Sequence, residues 1–417
     1  MDKAVVISID ALIEEDLEEF RKRRNMGKLL RDCALARKIH CIYPTYTYPC
    51  HTTIMTGCYP DKHGVIHNET LDGRWLWLAD AIKVPTMHDA AHSKGLVTAS
   101  ICWPVQGGGS ADHIIAEIWA NGPDDDPEPF FDLADSPSCK VIFERNRHLL
   151  DWMRTPGFDY FASASASDII REYRPDLTFV HFSYLDHQRH RNGSGTGLNL
   201  HAIDFIDDRV GEIVRAVEDA GLLEDTTFFI LGDHGHMDID MVFNINKVLA
   251  ERGYIDTDED GNVRDWRIIA QSCTFSCHVY SRGVDEKEAI SVMESIKDEY
   301  PEYIERVLNP FEAKEIYHLS GPFSCVLEAR DHVVFGSEAS GETARRPTEG
   351  DCRSSLSAHG FAPEKGPNPP FIVSGKRAAK GHVIEYGRLV DEAPTIMSLF
   401  SIDMGSGIDG RAMDLLV

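Results

Sequence analysis

Short apolar runs separated by turn residues divide this chain into alternating elements. Each run is rich in β-branched or aromatic residues, which predicts a buried β-strand. The runs comprise residues 4–9, 96–102, 177–182, 227–231 and 371–373. Stretches with helical spacing lie between them, and residues 200–220 place Ile203, Ile206, Val210 and Val217 on one stripe. This alternation predicts an α/β fold, a three-layer sandwich in which helices cover both faces of a mostly parallel central sheet.

The alternation of strand and helix is interrupted between about residues 240 and 346. In order, this stretch holds a Gly/Asp-rich turn, an apparent strand pair and a helical pattern, near residues 256–261, 266–280 and 286–299. We interpret it as a smaller cap subdomain inserted into the main domain, where it sets specificity. The predicted division assigns residues 1–245 and 346–417 to the core and residues 246–345 to the insertion.

The composition is strongly acidic, with 68 Asp+Glu against 42 Lys+Arg and a formal charge of −26. Such a surface repels a nucleic acid duplex and an anionic membrane, so we expect neither as a partner. The acidic run at 123–129 is interpreted as a solvated loop, because its prolines keep the carboxylates from converging. Metal cations could still reverse the field locally and let the protein hold a small phosphate ester.

The chain shows no secretory leader and no apolar stretch of about 18 residues. Its ten cysteines lie between Cys33 and Cys352 without CxxC pairs. Free thiols in a reducing compartment fit this spacing better than a disulfide framework. These features predict a cytoplasmic protein that does not span a membrane.

Potential metal ligands follow three of the predicted strands. Asp10 comes directly after the first, Asp186 and His190 follow residues 177–182, and Asp233 and His234 follow residues 227–231. Because functional groups in open α/β sheets collect at the carboxyl ends of the strands, we expect these side chains on one rim of the sheet. Asp and neutral His are ligands that zinc accepts. His359 could supply a third ligand beside Asp186 and His190.

Thr47 is the candidate nucleophile. Pro49 is suited to the first turn of a helix that Gly57 would end, so Thr47 is predicted to lie just ahead of that helix. The positive end of the helix dipole and the free N–H groups there favour an alkoxide or a phosphoryl oxygen. A simple N-cap is the alternative interpretation of the same residue.

Together these segments resemble the alkaline phosphatase superfamily and, within it, the nucleotide pyrophosphatase/phosphodiesterase branch. The resemblance extends from Asp10 to the Val-Asp-Glu-Ala-Pro-Thr segment at 390–395. The best-matching block is residues 44–68, similar to P-T-x-T-x-P-x-H-x-x-x-x-T-G-x-Y-P-x-x-H-G. The other matching motifs are D-x-x-x-H-x-x-G at 186–193, D-H-G at 233–235 and H-G at 359–360.

The resemblance implies two divalent metal ions, with zinc preferred and manganese as the alternative. One ion would be held by Asp186, His190 and His359. The other would be held by Asp10, Asp233 and His234, with Thr47 coordinated to it. The bound ion would lower the pKa of the threonine hydroxyl, which then forms a covalent phospho-threonine that water hydrolyses.

The resemblance also implies roles for three substrate-binding residues. Asn68 would donate a hydrogen bond to a phosphoryl oxygen, as a dipole of the oxyanion-hole kind. Tyr48 follows the nucleophile, where the family has an aromatic residue that stacks on a nucleobase. The family's diesterases have a second stacking residue, a Tyr, at the position of His181, so this imidazole is predicted to stack in its place.

The sequence therefore predicts a two-metal phosphodiesterase or pyrophosphatase that acts on small nucleotide-like esters. A phosphonoacetate-type hydrolase or a phosphomonoesterase could use the same site, although residues 103–109 offer no Lys or Arg to hold a carboxylate. A sulfatase is disfavoured, because the segment from Cys58 to Lys62 lacks the Arg of that signature. A catalytically silent metal- or ligand-binding protein is the alternative from another class.

Overall fold

The computed structural model describes residues 2–119, 128–151, 156–348 and 356–417. Residues 123–127 of the predicted acidic loop lie outside these ranges, as does Cys352. The other nine cysteines are buried and carry free thiols. Among the helices of the described part, none is both long enough and apolar enough to cross a membrane.

Nineteen strands occur in the described residues. In chain order they are β1 Lys3–Ile9, β2 Ala34–His40, β3 Thr98–Ile101, β4 His113–Ile115, β5 Leu177–Phe182, β6 Thr226–Leu231, β7 Met237–Asp238, β8 Met241–Phe243, β9 Ile255–Thr257, β10 Val263–Trp266, β11 Ile268–Ser272, β12 Ser276–Ser281, β13 Ile304–Leu308, β14 Cys325–Ala329, β15 Val333–Phe335, β16 Ala344–Arg345, β17 Ser357–Ala358, β18 Phe371–Gly375 and β19 Val383–Arg388.

The same residues form fourteen α-helices. In chain order they are α1 Leu17–Phe20, α2 Met26–Leu29, α3 Thr47–Thr56, α4 Pro60–His63, α5 Met87–His92, α6 Glu128–Ala134, α7 Lys140–Asn146, α8 Gly157–Tyr173, α9 Tyr184–Asn192, α10 Leu200–Asp219, α11 Ile245–Glu251, α12 Glu286–Glu299, α13 Pro310–Tyr317 and α14 Glu392–Ser398.

Eight strands form the central sheet, in the order β19-β2-β18-β6-β1-β5-β3-β4. All neighbouring strands pair in parallel except β18, which runs antiparallel to both β2 and β6. Strand β1 is buried on both faces, as an interior strand of a covered parallel sheet must be. The mostly parallel α/β sheet predicted from the sequence is confirmed.

Helices cover the two faces of this sheet with separate apolar clusters. Since neighbouring side chains of a strand point to opposite faces, Val5 and Ile7 of β1 pack in the cluster that contains α8 and α10. Ala4 and Val6 pack in the cluster that contains α3, α5 and α14. Helix α10 buries the predicted stripe, because its apolar residues recur at the helical period. The three-layer prediction is confirmed.

The insertion contains a second sheet and an apolar cluster of its own. Its four antiparallel strands follow the order β11-β12-β14-β13, and α12 packs against them. The predicted strand pair corresponds to β11 and β12, and the predicted helix to α12. A small sheet of β15, β8 and β16 lies where the chain passes between core and insertion. The boundaries at residues 246 and 345 stay a prediction.

Candidate active site

Strand order brings the predicted ligands of three separate segments together. Strands β6, β1 and β5 are adjacent and parallel, so their carboxyl ends meet at one edge of the sheet. Asp233 follows β6, Asp10 follows β1, and Asp186 lies in the first turn of α9, directly after β5. The backbone N–H of Ala11 donates to Asp233 Oδ1 at 3.0 Å, which joins two of these strand ends.

One group of potential ligands is centred on Asp186. The Nε2 atoms of His190 and His359 lie 3.5 and 3.7 Å from its carboxylate oxygens, as expected for a shared metal site. A fourth residue, His236, places Nε2 2.6 Å from Asp186 Oδ1. The ligand atoms of these four buried residues all lie within 4.8 Å of one another. His236 was not predicted, although it directly follows the D-H-G motif.

A second group surrounds His234. Its Nε2 lies 3.1 Å from Asp233 Oδ2 and 3.5 Å from Asp10 Oδ1. The hydroxyl oxygen of Thr47 lies 3.2 Å from the same nitrogen. Asp186 belongs to this group as well, because it has ligand atoms within 4.8 Å of those of Asp10 and His234. The structure therefore brings the six predicted ligands and Thr47 into two adjoining groups that share Asp186.

The charges of these groups fit divalent cations. Burial, and then repulsion by Asp233 and Asp186, raises the pKa of Asp10 well above its usual range. Burial raises the pKa of Asp233 to about 7 and lowers the pKa of His234 and His359 well below the usual range. Asp10 Oδ1 and Asp233 Oδ2 are buried without a hydrogen-bond donor among the described residues. Packed carboxylates beside neutral imidazoles are neutralised either by protons or by a bound cation, and a metal ion would supply the latter.

Outer hydrogen bonds orient two of the imidazoles. His190 Nδ1 lies 2.8 Å from the Ser357 carbonyl oxygen, and His359 Nδ1 lies 3.1 Å from the Thr45 carbonyl oxygen. A carbonyl only accepts, so each Nδ1 carries a hydrogen, and in the neutral ring each Nε2 then has a lone pair that faces the carboxylates. This arrangement is typical of histidine ligands to metals.

Comparison with known proteins agrees with this geometry. A model of the type I phosphodiesterase / nucleotide pyrophosphatase family matches residues 4–336. The chain belongs to this family. Thr47 and Asp186 both lie within the matched range.

Curated relatives in this family align with part of the chain. Ectonucleotide pyrophosphatase/phosphodiesterase family member 3 from Rattus norvegicus is 25% identical over 249 residues, which are 55% of this chain and 24% of that protein. Venom phosphodiesterase from Macrovipera lebetinus is 26% identical over 223 residues, 51% of this chain and 23% of that protein. The aligned part of the chain thus spans about a quarter of these relatives.

Solved structures of the family share the fold of the whole chain. Murine ectonucleotide pyrophosphatase / phosphodiesterase 5 superposes with a TM-score of 0.69 at 14% identity, and the match covers 100% of both chains. An inactive variant of the same murine protein, in complex with AMP, gives the same values. At this identity the likeness establishes the fold.

Helix α3 presents the candidate nucleophile. Thr47 is its first residue, and Gly57 ends it in the left-handed conformation with φ 66°, as the sequence predicts. His51, one turn further along, holds the helix against β1, because its Nδ1 lies 2.9 Å from the Thr47 carbonyl oxygen and its Nε2 2.9 Å from Ser8 Oγ. His51 was not singled out from the sequence, although it is the histidine of the P-x-H segment within the matching block.

Asn68 lies where it can donate to a ligand near Thr47. The backbone N–H of Tyr48 donates to Asn68 Oδ1 at 2.9 Å. A backbone N–H can only donate, so this bond fixes the amide with its oxygen toward α3. The NH₂ group of Asn68 is then the end that is available to an anion beside Thr47, as the resemblance implies.

The two residues predicted to stack on a base, Tyr48 and His181, are both buried in the structure. Tyr48 is 1% exposed, and its ring lies 5.3 Å from that of Trp75, which covers it. His181 is also 1% exposed, inside strand β5. Its Nε2 lies 3.2 Å from Asp10 Oδ2 and its Nδ1 2.6 Å from Glu117 Oε2. His181 is therefore within hydrogen-bond distance of a predicted metal ligand, Asp10, and its buried ring exposes no face on which a base could stack.

A cavity of about 510 Å³ adjoins the site between the core and the insertion. Tyr46 and His67 line it from the core, and Gln271 and Phe335 line it from the insertion. The Tyr46 ring lies 5.1 Å from the ring of His359. The insertion thus contributes to the space next to the predicted metal ligands.

Proposed function

We propose that this protein hydrolyses phosphodiester or pyrophosphate bonds in small nucleotide-like esters, with Thr47 as the nucleophile. The observation that carries the proposal is the position of Thr47 Oγ, 3.2 Å from His234 Nε2 at the start of α3. Membership of the type I phosphodiesterase / nucleotide pyrophosphatase family supports it. The AMP bound to the murine relative supports a nucleotide-like substrate.

The proposal includes two divalent ions, with zinc preferred and manganese as the alternative. Asp186, His190 and His359 would hold one ion, and Asp10, Asp233 and His234 the other. Bound ions would lower the pKa of the Thr47 hydroxyl and offset the charge of the transferred phosphoryl group. Asp10 Oδ1 and Asp233 Oδ2 support this assignment, because both are buried without a hydrogen-bond donor and a bound cation would compensate them.

The residues of the chain perform the displacement in two halves. Thr47 Oγ gives up its proton to solvent and forms a bond to phosphorus while the bond from phosphorus to the leaving oxygen breaks, and the leaving oxygen departs as an alkoxide or phosphate that solvent can protonate. The N-terminus of α3 and the NH₂ group of Asn68 donate to the phosphoryl oxygens as their charge grows. Water then attacks the phosphorus and the Thr47–phosphorus bond breaks; the water oxygen stays on phosphorus, one of its protons restores the Thr47 hydroxyl, and the nucleoside monophosphate is released.

The test compares initial rates on a nitrophenyl nucleotide diester, a nitrophenyl phosphate monoester, phosphonoacetate and a sulfate ester. The metal content of each preparation is measured in parallel. We expect the diester to be the best substrate, and Thr47→Ala to lose turnover while the ions stay bound. The conservative variant Thr47→Ser keeps the hydroxyl and is expected to retain measurable activity.

Acid quenching during the first turnover, followed by mass spectrometry of the Thr47 peptide, tests for the covalent intermediate. We expect a nucleotidyl group, a nucleoside joined through one phosphate, on Thr47. Unchanged diester hydrolysis by Thr47→Ala would refute the nucleophile. A preference for phosphonoacetate would replace the proposed substrate, and two bound ions without any turnover would favour the silent binding protein. The cytoplasmic location stays a prediction.

A further inference from the structure

Ser357 determines which nitrogen of His236 carries the hydrogen. The Ser357 hydroxyl donates to the Arg189 carbonyl oxygen at 2.7 Å, and its oxygen lies 3.0 Å from His236 Nδ1. A hydroxyl has one hydrogen, which this carbonyl takes. Ser357 Oγ can therefore only accept from His236, so Nδ1 is the protonated nitrogen.

The other nitrogen of His236 faces a carboxylate. In the neutral imidazole fixed in this way, Nε2 carries a lone pair, and it lies 2.6 Å from Asp186 Oδ1. Two acceptors repel at this separation unless a cation, either a proton or a metal ion, lies between them. Asp186 lies at the centre of a group whose other imidazoles, His190 and His359, also present Nε2 to it.

The outer bond of His236 matches those of the two predicted histidine ligands. Each of the three rings donates from Nδ1 to an oxygen and turns Nε2 inward. Ser357 supplies two of these acceptors, its carbonyl for His190 and its hydroxyl for His236. Such outer partners fix the tautomer of a metal ligand, and their presence at His236 indicates the same role.

We propose that His236 is a fourth protein ligand of the ion at Asp186, which is then held by three imidazoles and one carboxylate. The inference rests on the metal site of the proposed function and is independent of the substrate. Ser357 acts as a positioning residue, because it would meet the ion only through His190 and His236.

This ligand set has two consequences. Three imidazoles favour zinc, cobalt or nickel over manganese and magnesium, which prefer oxygen ligands. Four protein ligands are also the number found in closed tetrahedral zinc sites, whereas catalytic sites keep a position open. A fourth protein ligand at Asp186 would therefore make this site more closed than one held by three residues.

The test measures metal binding by the full chain after removal of metal with a chelator. Co²⁺ is titrated into wild type and His236→Met while the visible absorption is recorded, and zinc affinity is measured by competition with a chromophoric chelator. We expect His236→Met to bind the first zinc at least about 100-fold more weakly than wild type, with a changed cobalt spectrum. Its preference for zinc over manganese should fall as well.

Two further variants separate ligation from positioning and from folding. Ser357→Ala is expected to lower the zinc affinity about 10–100-fold. The cobalt spectrum should keep its shape, because all the proposed ligands remain. His88→Phe is the matched control, since His88 is buried against Phe179 and belongs to neither ligand group. Far-UV circular dichroism of the metal-free variants checks that each is folded.

An unchanged cobalt spectrum and zinc affinity in His236→Met would overturn the proposal and leave His236 as a hydrogen-bonding neighbour of Asp186. If His236→Met is unfolded, X-ray absorption spectroscopy of the zinc-loaded wild type tests the proposal instead, by counting the imidazole ligands of the two ions. The proposed ligand set predicts four imidazoles in total, three on the ion at Asp186 and one, from His234, on the other ion. A total of three or of five would contradict it. The proposed function fails by a different result, namely a Thr47→Ala variant that keeps both its ions and its turnover.

Discussion

A buried ion pair tethers the helix that carries Asp186 and His190. Arg189 and Asp16 are both fully buried, and Arg189 Nη2 lies 2.7 and 2.6 Å from the two carboxylate oxygens of Asp16. Asp16 also accepts from Thr196 Oγ1 at 2.7 Å and from the Ile13 N–H at 3.0 Å. The pair joins α9 to the segment that follows Asp10, so it connects elements of both ligand groups.

We predict that Asp16→Leu lowers the free energy of unfolding by about 3–5 kcal/mol, because it leaves a buried guanidinium without its counter-ion. The lost bonds from Thr196 and Ile13 belong to the same buried network, so their energies are not added separately. Arg189→Met, which leaves the carboxylate uncompensated, is expected to cost a similar amount. The double variant should recover most of the loss, because burying two apolar side chains requires no desolvation of charge.

Urea unfolding of the metal-free protein, followed by far-UV circular dichroism, measures these differences. The metal is removed by chelation because bound ions stabilise the native state by mass action and would add to the measured free energy of unfolding. The four proteins form a double-mutant cycle, which isolates the coupling between the two side chains. The reasoning is refuted if Asp16→Leu loses less than about 1 kcal/mol, or if the double variant is as unstable as the two singles combined.

Two further predictions concern Asn68 and Asp159. Asn68→Ala should lower kcat about 10²–10³-fold without changing the metal content, because one donor to the phosphoryl group is lost; steady-state kinetics with metal analysis measures this, and Asn68→Asp should not rescue it. Burial raises the pKa of Asp159 from 3.8 to about 6, so the unfolded state loses its proton first as pH rises. The protonated Asp159 therefore makes its full contribution to the free energy of unfolding below about pH 4. This contribution, about 3 kcal/mol, is lost as the pH rises through about 6. Urea unfolding at pH 4 and 7 should show this loss relative to Asp159→Asn; an equal pH dependence in both proteins would contradict it.

Strand ends could be predicted from the sequence because they depend on local patterns. The runs that became β1, β5 and β6 are continuous and apolar, and the acidic residues after them fall at the parallel carboxyl ends. The pairing of β18 between β2 and β6 could not be predicted, since it joins residues far apart in the chain and leaves no local signal.

His181 and His236 show where motif matching and physical reasoning diverge. His181 was assigned to stacking by its place in a motif, yet it lies within the apolar run 177–182, which itself predicted burial on both faces. His236 was passed over because the matched motif ended at Gly235. The role proposed for it rests on its hydrogen bond to Ser357, which is distant in sequence, so only the fold could indicate it.

The antiparallel strand β18 also affects how the chain is made. Phe371 of β18 pairs with Ala36 of β2 and with Leu231 of β6, in the interior of the sheet. While the chain emerges from the ribosome, β2 and β6 therefore expose unpaired edges until residues 371–375 arrive. Unpaired edges invite association with other strands, and long-range pairing slows folding. Nascent chains that stop short of β18 are expected to depend on chaperones and to be degraded if they are not completed.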